Sequence, residues 1–142
     1  MRLTDHTDYA LRVLMYLGDN GGHLATTGEV AAMHGISHHH LTKVVNQLGH
    51  AGFVETVRGR GGGIRLARPP GEIMLGDVVR HTEPDFHVLA CLDGRDHGCP
   101  LAPHCVLKGA LCRATSCFLE ALDRVSLSSI LKPPDAVRLQ PS

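Results

Sequence analysis

Five cysteines are the residues of this chain best equipped for chemistry: Cys91, Cys99, Cys105, Cys112 and Cys117, all within 27 consecutive residues of a 142-residue sequence. Their number is odd, the start MRLTDHTDYALR is no signal peptide, and no apolar run reaches the roughly 18–20 residues that span a bilayer. The chain is therefore read as cytoplasmic and free of the membrane. In a reducing compartment, thiolate chemistry takes precedence over disulfides. Cys91, Cys99 and Cys105 are separated by seven and then five residues, with Pro100 and Pro103 flanking the last two. Structural zinc sites use C-x2–4-C knuckles, because one small ion needs closely spaced ligands. No such pair occurs among these three. The wider spacing suits a larger object, such as an iron–sulfur cluster held by thiolates spread along a loop; zinc and free or redox-active thiols are the other readings. Cys112 and Cys117 fall in a helical pattern and read as small packing residues.

Three thiolates leave a four-iron cluster one ligand short. Candidates for the fourth are His97, His104, Cys112, His6 and Asp8, and composition does not choose among them. His38, His39 and His40 are consecutive helix residues that point in different directions, so they cannot converge on one ion.

The elements that must position these residues come next. Ala10, Leu11, Val13, Leu14 and Leu17 recur at helical spacing over about 4–18. A short helix over 27–34 follows, capped by Thr26 or Thr27. Gly35-Ile36-Ser37 then makes a tight turn, and a second helix over 38–50 buries Leu41, Val44, Val45 and Leu48. Helix, glycine-bearing turn, helix is the helix-turn-helix pattern. Directly behind it, Phe53 to Val57 and Ile64 to Ala67 alternate as strands around Arg58-Gly59-Arg60-Gly61-Gly62-Gly63, which makes a basic wing. A connector helix over 75–81, an irregular stretch over 83–104 and a long apolar-striped helix over about 106–125 complete the chain. So long a helix in so small a protein calls for a partner, and it is read as a dimerisation helix. The fold class is mainly α. It divides into a winged helix-turn-helix (1–68), a connector helix and cysteine loop (69–105), a dimerisation helix (106–131) and a flexible tail (132–142).

Net charge is zero, with 14 basic and 14 acidic residues, and aromatics are 4%. So few aromatic faces argue against a carbohydrate cleft or a base-stacking platform. The charge is unevenly placed, however: Lys43, Arg58, Arg60, Arg65 and Arg68 face only Glu55 between Ser37 and Arg68. That local footprint fits nucleic acid. Ser37, His38, His39, His40, Thr42 and Lys43 are the candidate groove-facing residues, and Arg58, Gly59, Arg60, Gly61 and Gly62 the wing tip. A thiol oxidoreductase is the remotest alternative, since no C-x-x-C pair and no Gly-rich loop behind a strand are present.

The segments MRLTDHTDYALRVLMYL, HLTKVVNQLGHAGFVETVRGRGGGIRLA and Cys91…Cys99-Pro-Leu-Ala-Pro-His-Cys105 together resemble the bacterial iron–sulfur winged-helix transcriptional regulators, and most nearly their nitric-oxide-sensing repressors. The resemblance covers about residues 1–131. It implies a homodimer on palindromic double-stranded operator DNA, with a cluster held by Cys91, Cys99 and Cys105. A four-iron four-sulfur cluster is favoured over a two-iron two-sulfur one. It implies Asp8, donated by the other subunit, as the fourth ligand; oxygen is a poorer partner than thiolate for such iron, so that position is labile. Arg12, one turn on, is placed to pair with Asp8 when the cluster is absent. Nitric oxide would nitrosylate the cluster and release the operator. The first cysteine gap is seven residues where many relatives have five. Val106, Leu107 and Lys108 follow Cys105, where relatives with a histidine ligand carry that histidine. The alternative function is a thiol-switched or iron–sulfur-status regulator of the same fold.

Overall fold

The computed structural model describes residues 1–102 and 104–132. Pro103, and all of the tail expected to be flexible except Lys132, lie outside the described residues.

Helix α1 (Asp5–Asp19) begins where Thr4 turns its hydroxyl onto the Thr7 amide at 3.3 Å. Its inner stripe of Ala10, Val13, Leu14 and Leu17 is fully buried. Helix α2 (Thr27–His34) starts with a capping box: the Thr26 hydroxyl accepts from the Glu29 amide, and the Glu29 carboxylate accepts from the Thr26 amide. Such reciprocal caps contribute about 1 kcal/mol. Gly35 then takes a left-handed conformation (φ 63°), which lets the chain turn sharply into α3 (His38–His50). Helix α3 drives Leu41, Val44, Val45 and Leu48 into the same core as α1, along with Val30 and Phe53. Each such residue contributes about 1.5–3 kcal/mol when it is fully buried.

Strands β1 (Val54–Val57) and β2 (Gly63–Leu66) pair antiparallel, with Glu55 opposite Arg65 and Thr56 opposite Ile64. Ala25, just before α2, exchanges two backbone hydrogen bonds with Ile64 (3.0 and 2.7 Å) and ties the wing to the helices. At the wing's turn a Cβ on Gly62 would lie 2.2 Å from the Val57 carbonyl oxygen, so only glycine fits there.

Helix α4 (Leu75–Thr82) buries Val78 and Val79. The described residues between α4 and α5 (Val106–Asp123) run irregularly, apart from one 3-10 turn at Ala90–Leu92. The helix expected over 106–131 ends at Asp123. After Arg124 the chain doubles back: Val125 accepts from the Leu75 amide (2.9 Å), Leu127 donates to the Ile73 carbonyl (2.7 Å), and a last turn, α6 (Leu127–Ile130), follows. Leu127 is fully buried beside Ile73, so this segment completes the core of the first domain and does not extend the long helix. Arg80 grips Asp123 through two hydrogen bonds and so fixes the end of α5 on α4. That contact holds the Asp123 carboxyl below its ordinary range and raises the Arg80 guanidinium.

Helix α5 is 18 residues long, about 27 Å. None of its residues is buried, and Val106 and Leu107 are 82% and 56% exposed. Cys112 and Cys117, expected to pack, are exposed too: none of the described residues covers them.

Candidate nucleic-acid interface and cysteine loop

On α3, opposite the buried Leu41–Val44–Val45–Leu48 stripe, the positions His39, Lys43, Asn46 and His50 fall at i, i+4, i+7 and i+11 on one exposed face. His38 and His40 are exposed on the two flanks of that face. Two hydroxyls expected to face the groove are engaged within the helix: Ser37 caps the His40 amide at 3.2 Å, and Thr42 donates to the His38 carbonyl at 2.8 Å. Asn46 was not singled out by sequence reasoning. Its signal was available, one helical turn beyond Lys43 and facing away from the apolar stripe.

The wing presents Arg58, Gly59, Arg60 and Gly61 to solvent, with Gly62 half-buried. The basic footprint read from composition is smaller in the folded chain. Arg65 pairs with Glu55 across the strands, and Arg68 lays its guanidinium over the Phe53 ring, 4.8 Å from the centroid. Phe53 in turn meets the His81 ring edge-on. Arg68 is thus a packing residue. Lys43, Arg58 and Arg60 are the exposed cations that remain.

In the cysteine loop, Cys91 sits half-buried on the 3-10 turn, Cys99 is exposed, and half-buried Cys105 caps α5 by accepting from the Lys108 amide at 3.4 Å. The amide end of the helix therefore faces this sulfur. Between the first two cysteines, Asp93 accepts from His97 Nε2 (2.9 Å) and from the Arg95 amide (2.8 Å); these bonds hold its carboxyl below the ordinary range. Among the described residues, no three His, Cys, Asp or Glu side chains converge closely enough to hold one metal ion.

Asp8 is half-buried on α1, and its carboxylate accepts from Arg12 Nε at 3.0 Å. Asp5, one turn earlier, is exposed and pairs with Arg2 at 2.8 Å. The start of α1 is tied to the end of α4, where the irregular segment leading to the cysteines begins. Thr4 donates through its amide (2.7 Å) and its hydroxyl (2.9 Å) to Glu83, and Thr7 donates to Thr82 at 2.9 Å. Burial pushes the Glu83 carboxyl up, but the neighbouring Thr7 hydroxyl and the hydrogen bonds from Thr4 outweigh it and hold the group below its ordinary value.

Residues 3–133 match the Rrf2 family, described as iron-dependent transcriptional regulators. The chain belongs to the Rrf2 family. Its relatives include the HTH-type transcriptional regulator NsrR of Bacillus licheniformis, 45% identical over 139 residues and 97% of each chain. NsrR of Bacillus subtilis is 44% identical over 133 residues, 93% of this chain and 91% of that one. Among solved structures, IscR of T. potens superposes with a TM-score of 0.75 at 24% identity, covering 100% of this chain and 94% of that one. CymR of B. subtilis superposes at 0.72 and 23% identity, covering 92% and 95%. These structures share the Rrf2 winged-helix fold, mostly helical with a two-stranded wing.

For an Rrf2 chain the donor set has the right chemistry for an iron–sulfur cluster. Three soft thiols lie on one loop, two of them half-buried, and the loop's polar contacts run between near neighbours in sequence. No helix among the described residues is long and apolar enough to cross a membrane.

Proposed function

We propose that this chain is a cluster-dependent transcriptional repressor that binds palindromic operator DNA as a homodimer and releases it in response to nitric oxide. Helix α3 of each subunit enters a major groove through His39, Lys43 and Asn46, with His38 and His40 at its flanks. The wing arginines Arg58 and Arg60 reach the adjacent phosphates or minor groove. Two half-sites one helical turn apart, about 34–36 Å, require two recognition helices at fixed separation. The bare face of α5 supports the dimer, since among the described residues only α4 holds this 18-residue amphipathic helix, and none of its residues is buried.

Cys91, Cys99 and Cys105 would hold an iron–sulfur cluster, four-iron four-sulfur in preference to two-iron two-sulfur, with Asp8 of the partner subunit as the fourth ligand. When bound, the group supplies iron that reacts with nitric oxide. The observation that carries this reading is the Asp8–Arg12 contact. It gives the carboxylate a second, charged partner one turn along its own helix, so leaving iron does not strand a charge. Asp8 would have Arg12 to pair with when it does not hold the cluster, and the Thr4–Glu83 joint ties any shift of α1 to the end of α4.

The Asp8→Ala chain, purified anaerobically, is expected to keep its cluster through three thiols but to lose it severalfold faster than wild type. Its operator complex is expected to ignore nitric oxide. Asp5→Ala, which breaks only an exposed pair with Arg2, is expected to behave as wild type. Normal cluster lifetime and a normal nitric-oxide response in Asp8→Ala would place the fourth ligand elsewhere.

A further inference from the structure

A polar joint crosses the seam between α1, α3 and α4 at Gln47. The Gln47 side chain donates through Nε2 to the main-chain carbonyl of His81, and its Oε1 faces His6 Nε2 on α1. A carbonyl oxygen only accepts, so the amide nitrogen must face His81. That leaves the amide oxygen toward the ring, and His6 must donate through Nε2. One amide thus ties a side chain 41 residues away and a main-chain carbonyl 34 residues away to the same helix.

The surroundings make this joint the directional element of the seam. Leu41, Val44, Val45 and Leu48 set how deeply α3 sits, but apolar burial is non-directional and constrains rotation of a helix about its own axis less sharply. On the exposed side of the seam the packing is incomplete: a pocket of about 210 Å³ opens between α1 and α3, lined by Asp5, His6, Tyr9, His40 and Lys43. The rotation of α3 decides which way His39, Lys43 and Asn46 point. His6 lies two residues before Asp8, and His81 lies two residues before Glu83, the group to which Thr4 is bonded. The joint therefore touches both segments whose setting the proposed response changes.

We infer that Gln47 is the positioning residue that passes the setting of α1 and α4 to the recognition helix. The inference rests on the cluster-dependent reading above. Gln47 lies off the DNA-facing row, and its side-chain hydrogen bonds among the described residues go to His6 and His81, not to the cysteine loop or Asp8.

The experiment compares wild type, Gln47→Ala and Gln47→Met as full-length protein prepared anaerobically with and without cluster. The probe is a palindromic duplex selected by the loaded wild-type protein from a randomised library. Fluorescence anisotropy gives the ratio of loaded to cluster-free affinity, and hydrogen exchange of the α3 amides is read in the same samples. Wild type is expected to show a ratio of tenfold or more. Both variants are expected to cut that ratio at least fivefold, to speed α3 exchange, and to keep wild-type iron and sulfide content. Methionine preserves length and bulk without the amide, so a mere packing role would leave Gln47→Met at the wild-type ratio and overturn the inference. A wild-type ratio near one would instead defeat the cluster-dependent reading. In that event, unchanged α3 exchange in both variants would overturn the positioning role as well.

Discussion

A Cys99→Ala chain is expected to purify without bound iron or acid-labile sulfide and without the visible absorption of the wild-type protein. Cys99 is exposed and lies outside the hydrophobic core, so its truncation removes a ligand and not a packing residue. Circular dichroism should accordingly remain that of a folded, mainly helical protein. Cys91→Ala and Cys105→Ala are expected to lose the cluster as well, because two thiolates are too few to anchor it. Cys105→Ala also removes the α5 cap at Lys108, so it should cost some helix stability in addition. Cys112→Ala and Cys117→Ala serve as controls that keep full iron and sulfide; both residues lie on the exposed length of α5. Full iron and sulfide content in Cys99→Ala would remove this loop from the ligand set.

The paired substitution Arg58→Ala and Arg60→Ala is expected to weaken operator binding about thirtyfold per wing at 0.15 M salt. Each phosphate neutralised contributes about 0.9 to the slope of log K against log salt; two lost contacts flatten it by about one to two units per wing. The affinity loss follows from a slope change of about 1.8, two contacts at about 0.9 each, multiplied by the logarithm of the salt concentration. Both side chains are exposed, and neither takes part in the core, so stability should change by less than about 0.5 kcal/mol. The cluster's absorption should be unaltered, since the wing and the cysteine loop are separate elements of the chain. Wild-type affinity and salt slope in the double variant would mean that the wing faces solvent in the complex.

The first half of the fold was legible because its signals are local. Thr26 and Glu29 announce the start of α2, Gly35 the turn, Ser37 the start of α3, and the strand alternation behind it the wing. The Asp8–Arg12 contact was legible for the same reason, as an i,i+4 pair of opposite charges. Where tertiary packing decides, the sequence misleads. Leu122, Val125 and Leu127 continue an apolar pattern, yet the helix stops at Asp123 because Leu127 is needed beside Ile73 in the core. Arg65 and Arg68 count as basic residues in composition, but the fold assigns one to Glu55 and the other to the Phe53 ring. Gln47 carried no signal at all. Its role depends on which groups α1 and α4 bring to it, and no spacing within α3 reveals them.

The proposed repressor couples two events, cluster loading and operator binding, and one titration reads both. The anaerobically purified dimer, bound to the selected duplex, is followed by native mass spectrometry as nitric oxide is added stepwise. The account predicts one cluster per subunit at the start and free duplex appearing in step with cluster loss. It also predicts that the cluster-free protein binds at least tenfold more weakly, a coupling of about 1.4 kcal/mol or more. A complex that persists after every cluster has reacted, or a cluster-free protein that binds the duplex as tightly as the loaded one, would contradict it.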